Sequence, residues 1–185
     1  MTKEQTSEPT RYESVVGHCA DSRSTGGQRE EAGRGEVSNG KIAFSGSTLS
    51  RISDTVATNT DIHLIDGEGC HETQLTHTRQ FEENPVWSPD GKKIAYSTGD
   101  YGKLYVINTD GSGQRRLTNT PGPSFVASPS WSPDSEKIAY SCPFESLIRS
   151  HTELCVINAD GTGMKRIASK VAPDGSEVAT SWARE

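Results

Sequence analysis

The chain has 185 residues, enough for one domain with a tail, and a formal net charge of −6 at pH 7. This charge argues against a general nucleic-acid binder, because such proteins usually present a basic field. No run of roughly 18 apolar residues occurs, so the sequence predicts no membrane insertion. Only 31% of the residues are hydrophobic, which predicts that part of the chain stays outside a packed core.

The first segment, residues 1–38, is predicted to be a disordered polar tail. It contains no Leu, Ile, Phe or Trp and is rich in Ser, Glu, Arg, Thr and Gly. Such a segment cannot bury enough apolar surface to offset an ordering entropy of about 1–2 kcal/mol per residue. Its start lacks the basic region and apolar run of a secretory signal peptide. The location therefore stays open between the cytoplasm and an exported compartment whose signal has been lost or removed.

Residues 39–185 are predicted to form an all-β domain made of repeats. A partial copy comes first, in residues 41–45 (KIAFS) and 61–69 (DIHLIDGEG). A fuller copy then begins at residues 85–97 (PVWSPDGKKIAYS), and it recurs at residues 129–141 (PSWSPDSEKIAYS). A second shared block follows each full copy, as LYVINTDGSG and then as LCVINADGTG. A period of about 40–50 residues with four short strand patterns per unit is the signature of a β-propeller blade.

Two tight turns recur in these units. In the first turn, Gly91 is expected to supply the positive φ that closes a hairpin after Pro89 and Asp90. The next copy has Ser135 at that place, where a left-handed backbone should cost about 1 kcal/mol. The second turn, D-G-S/T-G, superficially resembles a calcium loop but lacks the alternating Asp positions and the distal Glu, so we interpret it as structural.

The strand patterns can be lettered A to D within each blade. The first unit then reads BCD, the next two read ABCD, and residues 178–182 (VATSW) resemble one more A strand. Three blades of four antiparallel strands are half of a six-bladed ring, and propellers normally close with about four to eight blades. Two hypotheses follow. Either two copies form a six-bladed homodimer by exchanging residues 178–182, or the chain is part of a larger propeller.

The motifs W-S-P-D-G, K-K-I-A-Y-S and L-Y-V-I-N-T-D-G-S-G together resemble the TolB-like propeller repeat. That repeat is also found in the propellers of the prolyl oligopeptidase family, and the resemblance covers residues 41–182. It implies a propeller that binds a protein partner in the bacterial cell envelope, and therefore a periplasmic location.

Strand polarity predicts which loops carry recognition. The B-to-C and D-to-A connections lie on one face and vary in length, and irregular loops on a rigid scaffold usually carry binding. We predict these loops at residues 46–60, 77–84, 98–102, 119–125 and 143–152. Aromatic and Arg side chains are the favoured anchors of protein interfaces. The candidate binding residues are Arg51, Arg79, Phe81, Phe125, Phe144, Arg149 and His151. The alternative is that the three Phe side chains fold inward and cap the blade edges.

Signals of catalysis are poor. The sequence contains no G-x-S-x-G nucleophile motif, no phosphate-binding glycine loop before a helix and no H-E-x-x-H zinc motif. The four cysteines have no C-x-x-C spacing, which gives no support to a metal or redox site. Cys142 and Cys155 flank one predicted hairpin and could approach each other, but we favour two reduced cysteines that contribute to packing. We therefore predict no catalytic residue, no metal and no cofactor.

The sequence favours a non-enzymatic scaffold for protein–protein interaction. One alternative is the propeller portion of a prolyl-oligopeptidase-like peptidase that lacks its catalytic domain. Another is a carbohydrate-binding or sugar-lyase propeller, which would need polar and metal-ligating residues along its channel.

Overall fold

The computed structural model describes residues 40–52, 55–99, 102–119, 127–145, 150–167 and 182–183. These residues form three antiparallel sheets and contain no helix, so none of the described part could cross a membrane as a helix. The predicted tail, residues 1–38, lies outside the described residues.

Each sheet is one propeller blade, and the strands follow the chain in order. Blade 1 consists of β1 (Lys41–Ile52), β2 (Thr55–Asp66) and β3 (Thr73–Gln74). Blade 2 consists of β4 (Glu82–Trp87), β5 (Lys93–Thr98), β6 (Lys103–Asn108) and β7 (Arg115–Arg116). Blade 3 consists of β8 (Ala127–Trp131), β9 (Lys137–Glu145), β10 (Ser150–Asn158) and β11 (Lys165–Ile167).

The strand order confirms the predicted lettering of the blades. Blades 2 and 3 run A-B-C-D, whereas blade 1 has B, C and D but no A strand among the described residues. The repeat also fixes the register, because Trp87 pairs with Ile94 and Trp131 pairs with Ile138. Both A strands carry a bulge a few residues before the tryptophan. Sequence and structure thus place the same residue types at the same points of successive blades.

The core lies in the two seams between adjacent blades. Ile62, Leu75 and Ile94 belong to the cluster at the seam of blades 1 and 2, and Leu117 and Ile138 belong to the cluster at the seam of blades 2 and 3. The alternating apolar residues of a B strand face the preceding blade, which explains why KIAYS recurs. Full burial of one such aliphatic side chain stabilises the fold by about 1.5–3 kcal/mol.

The predicted left-handed turn is confirmed in both copies. Gly91 has a φ of 70°, and Ser135 has a φ of 62° at the equivalent place. The Oγ of Ser135 accepts a hydrogen bond from the Asp90 backbone N–H in the neighbouring blade, at 3.1 Å. This bond between blades offsets part of the strain that a side chain at this position introduces.

The D-G-S/T-G turns are structural, as interpreted from the sequence. The carboxylate of Asp110 accepts from the backbone N–H and the hydroxyl of Ser112, and Asp160 accepts in the same way from Thr162. The hydrogen bond from the hydroxyl of Ser112 is the largest influence that lowers the pKa of Asp110, and that from Thr162 does the same for Asp160. Both carboxylates are therefore engaged in closing their own turns.

Two of the predicted B-to-C loops are wrong, because strands occupy most of them. β1 and β2 continue their ladder to the pair Ile52–Thr55, and β9 and β10 continue to the pair Glu145–Ser150. A hairpin can extend beyond its blade because hydrogen bonds between its two strands satisfy backbone groups that water would otherwise satisfy. The number of residues between two repeat motifs therefore overestimates the length of the irregular loop.

The expectation of reduced cysteines at 142 and 155 is also wrong. Cys142 of β9 and Cys155 of β10 form a disulfide with a Cα–Cα distance of 5.7 Å. The antiparallel register brings the two neighbouring strands within reach of such a bond, and both side chains are buried. Cys70 is disulfide-bonded as well.

Candidate functional site

The B-to-C and D-to-A connections meet at one end of the blades, as strand polarity predicts. Phe81 forms a parallel bridge with Thr60, which lies within β2, the C strand of blade 1. Its carbonyl oxygen accepts a hydrogen bond of 2.6 Å from the N–H of Gly99, which follows the B strand of blade 2. A Cβ atom at Gly99 would stand only 3.2 Å from the Phe81 Cβ. The backbone of Phe81 is therefore fixed to both blades at the seam between them.

The candidate residues fall into two groups on this face. Phe81 is 36% exposed, and Arg79 is exposed on the same connection, so this pair offers an aromatic ring and a guanidinium to solvent. Phe144 and His151 are cross-strand partners in the β9–β10 hairpin of blade 3. Arg51 lies opposite Val56 in the β1–β2 hairpin.

Arg51, Phe144 and His151 are thus strand residues rather than loop residues. Two further candidates, Phe125 and Arg149, lie outside the described residues. The alternative in which Phe81 folds inward is only half right, because its ring abuts Gly99 on one side and is partly open to solvent on the other.

A buried acidic cluster behind this face was missed by the sequence analysis. Asp61 of β2 is 2% exposed and accepts hydrogen bonds from the side chains of Asn59 and Gln74, each at 3.0 Å. Glu82 of β4 is fully buried and accepts from the hydroxyls of Thr76 and Thr78. The Asp61 bonds join the C and D strands of blade 1, and the Glu82 bonds join the segment after that D strand to the first residue of blade 2. Thr76 links the two blades, because its hydroxyl also accepts from the backbone N–H of Ile62 in the C strand.

Burial is the main cause that raises the pKa of Glu82 above its usual range, and the charge of Asp61 adds to the effect. The two threonine hydroxyls act in the opposite direction. A signal for Glu82 was present in the sequence, since blade 3 has the apolar Val126 at the position where blade 2 has Glu82. Asp61 gave no such signal, because blade 3 also has an acid, Glu153, at the equivalent position.

Each of the two end blades exposes an isoleucine at a position that is buried in the seams. Ile94 and Ile138 are fully buried, but their equivalent Ile42 on blade 1 is 54% exposed. Leu75 and Leu117 are 7% exposed, but their equivalent Ile167 on blade 3 is 46% exposed. The positions that build the seams elsewhere therefore face outward here, as expected where a repeat lacks its neighbour.

Tryptophans fasten one blade to the next through the main chain. The indole N–H of Trp131 donates to the carbonyl of Val86 at 3.0 Å, and that of Trp182 donates to the carbonyl of Ser130 at 3.1 Å. In both cases the acceptor is the residue just before the tryptophan position of the preceding blade. The equivalent indole N–H of Trp87 is buried and has no hydrogen-bond partner. It faces blade 1, where the A strand is not among the described residues.

Comparisons with known proteins agree with this architecture, although no family model matches the sequence. Dipeptidyl-peptidase 5 of Porphyromonas endodontalis is 33% identical over 86 residues, which cover 45% of this chain and 12% of that protein. The Tol-Pal system protein TolB of Actinobacillus succinogenes is 31% identical over 86 residues, which cover 44% of this chain and 20% of that protein. The matched segment thus spans a fifth or less of either relative.

Solved structures show the same blades. TolB from Acinetobacter baumannii superposes with a TM-score of 0.56 and 20% identity, covering 73% of this chain and 32% of that one. The acylaminoacyl peptidase of Pyrococcus horikoshii gives a TM-score of 0.50 and 16% identity, covering 68% of this chain and 23% of that one. At these identities the likeness concerns the fold. Together with the recurring W-S-P-D motif and its register, it identifies the described part of this chain as blades of a β-propeller, similar in fold to those of TolB.

Proposed function

We propose that this chain is a non-enzymatic scaffold that binds a protein partner through the face carrying the B-to-C and D-to-A connections. The observation that carries the proposal is the seam of blades 1 and 2, where Phe81 and Arg79 are presented to solvent on a backbone held by both blades. A partly exposed aromatic ring beside a guanidinium on a rigid support is the usual composition of an interface anchor. Phe144 and His151 would extend the same surface on blade 3.

The repeated carboxylates support a non-enzymatic role, because they serve the fold. Asp90 and Asp134 accept hydrogen bonds from the serine hydroxyl two residues earlier and from a backbone N–H two residues later. Asp110 and Asp160 close the other turns in the same manner. Side chains that are committed to turn geometry on the opposite face are poor candidates for acid–base work.

The peptidase alternative is favoured by the identity of 33% to a dipeptidyl-peptidase. In that case this chain is the propeller portion of an enzyme, and its loop face would bind or admit a peptide on the way to a separate catalytic domain. A reading frame that continues into a G-x-S-x-G motif, or hydrolysis of a dipeptidyl substrate by the purified chain, would support this alternative over the scaffold.

A periplasmic location follows from the same proposal. Disulfides such as that between Cys142 and Cys155 persist in oxidising compartments and are rare in the cytosol. The resemblance to a Tol-Pal system protein supports the same location. We also propose the division into a polar tail, residues 1–38, and a partial propeller, residues 39–185. We also propose that two copies form a homodimer that completes a six-bladed ring.

Site-specific photo-cross-linking tests the scaffold function. A photoreactive amino acid in place of Arg79 is expected to capture one protein from an envelope extract, whereas the same label in place of exposed Ser112, on the opposite face, is not. The Phe81→Ala substitution should reduce the capture at position 79 at least several-fold, since it removes the aromatic anchor beside the label. Equal capture at both positions, or capture that does not depend on Phe81, would reject this face as the binding surface.

A further inference from the structure

We infer that the β1 edge of blade 1, together with the indole N–H of Trp87, is a docking site for an A strand, and that the strand leading into Trp182 of a second copy occupies it. The inference extends the homodimer proposed above but does not depend on which protein binds the loop face. It specifies the residues that meet and the register in which they pair.

The buried indole N–H of Trp87 is the observation that points to a missing strand. A buried donor without an acceptor is rare in folded proteins and costs stability. At the two other tryptophans the acceptor is a carbonyl one residue before the tryptophan position of the preceding blade, at Val86 and at Ser130. The indole N–H of Trp87 is buried without such an acceptor, although the side chain as a whole is only partly buried. An A strand added to blade 1 would place a carbonyl at the same point.

The residues that directly precede β1 are unsuited to supply this strand. Counting back from Ile42 by the interval that separates Trp87 from Ile94 reaches Gly35, not a tryptophan. Five of the eight residues 29–36 (REEAGRGE) are charged, and they include two glycines. A strand at the inner edge of a blade, buried by neighbours on both faces, would leave those charges desolvated, at a cost of several kcal/mol each.

The segment that leads into Trp182 has the sequence of an A strand, because residues 178–182 (VATSW) match the A-strand ending S-W of residues 130–131. Trp182 itself lies against blade 3, where its indole N–H donates to the Ser130 carbonyl, as that of Trp131 does to Val86. Ser181, which precedes Trp182, would then offer its carbonyl to Trp87 of the second copy, as Val86 does to Trp131.

The exposed apolar residues of the two end blades support the same arrangement. Side chains on the D-strand side, such as Leu117, pack against the following blade, and side chains on the B strand, such as Ile138, pack against the preceding one. Ile167, which is 46% exposed and equivalent to Leu117, therefore faces the side from which blade 1 of a second copy would approach. Ile42 of that copy would be covered in turn. The two-fold operation closes the ring and satisfies both open edges.

The register gives a covalent test. Because Val86 pairs with Ala95 and Ser130 pairs with Ala139, Ser181 of one copy should lie opposite Ala43 of the other. A chain carrying both Ser181→Cys and Ala43→Cys is expected to form a disulfide-linked dimer on mild oxidation. The matched control, with Ser181→Cys and Lys41→Cys, should link at least ten-fold less, because residue 41 lies two positions out of register. Equal linking in both variants, or none in either, would overturn the inference.

Sedimentation across a concentration series supplies the independent test. The intact chain should show a monomer–dimer equilibrium. Trp87→Phe should weaken the dimer about five-fold for each of the two hydrogen bonds that the two-fold dimer loses, which is about twenty-five-fold in all. Trp131→Phe, which loses a bond inside one copy, should leave the dimer dissociation constant unchanged. A monodisperse monomer would overturn the inference, and so would unchanged dimerisation by Trp87→Phe. Neither result would bear on the protein captured at Arg79, so the two proposals fail separately.

Discussion

The middle blade and the two end blades have nearly the same sequence but different surroundings. In blade 2 the B-strand isoleucine and the D-strand leucine, Ile94 and Leu117, are buried because a blade lies on either side. Their equivalents Ile42 on blade 1 and Ile167 on blade 3 are about half exposed. The repeat therefore gives each blade apolar side chains that can pack against the next blade. These side chains stabilise the fold only where a neighbouring blade buries them. The predictions below use pairs of equivalent positions to test this difference.

The largest expected effect comes from truncating one isoleucine at two places. Ile138→Ala should lower the free energy of unfolding by about 2–5 kcal/mol, because it removes buried methyl groups and leaves a cavity in the seam. Ile42→Ala should cost the isolated chain less than about 1 kcal/mol, since the side chain is 54% exposed. Urea unfolding of dilute samples measures both values. Equal losses at the two positions would show that blade 1 is covered even in the monomer.

Removal of the disulfide in blade 3 should have the next largest effect. Replacing Cys142 and Cys155 by alanine should lower the free energy of unfolding by about 2–3 kcal/mol, because the bond closes a short loop and thereby restricts the unfolded chain. The measurement is thermal unfolding without reductant. As a control, reductant should shift the thermal unfolding midpoint of the wild type more than it shifts the midpoint of the double-alanine variant. No difference between variant and wild type would show that the end blade unfolds separately from the rest.

Glu82 should make the seam of blades 1 and 2 sensitive to pH. The folded-state pKa of Glu82 is raised above the unfolded value of about 4.3, so the native state binds the extra proton. The free energy of unfolding should therefore fall as pH rises from the unfolded pKa to the raised folded pKa. Glu82→Gln should remove this loss and raise the free energy of unfolding at neutral pH.

Urea titrations at several pH values between 4 and 8 would measure this effect of Glu82. Glu83→Gln is the matched control, because Glu83 is exposed on the same strand. If Glu82→Gln kept the wild-type dependence on pH, the buried carboxyl would not be its source.

The smallest effect is expected at the turn of blade 3. Ser135→Gly relieves the left-handed strain at φ 62° but loses the bond from Asp90, so its net change should be within about 0.5 kcal/mol. Ser135→Ala keeps the strain and loses the bond, and it should cost about 1 kcal/mol. The two unfolding midpoints compare these values directly. A loss well above about 0.5 kcal/mol for Ser135→Gly would mean that the Asp90 bond is worth more than the strain that glycine relieves.

Most of the fold could be predicted from the repeat, and most of the site could not. Trp87 and Trp131 mark A strands because identical local sequences recur at a fixed period, so one turn and one register explain both copies. The hairpin extensions that carry Phe144 and His151 were missed because they have no counterpart in blade 2. The Asp61 and Glu82 cluster was missed because its members are distant in sequence and are brought together only by the packing of two blades.

The sequence by itself determined that the described residues form propeller blades, the order of the strands within them and which turns need a left-handed residue. Those features depend on local chain geometry and on a pattern repeated within the chain. Only the tertiary structure decided that Cys142 is bonded to Cys155, that Glu82 is buried and that the indole of Trp87 lacks an acceptor. These depend on which surfaces meet across a seam, and equivalent residues in a repeat can be buried or exposed according to the neighbours that surround them.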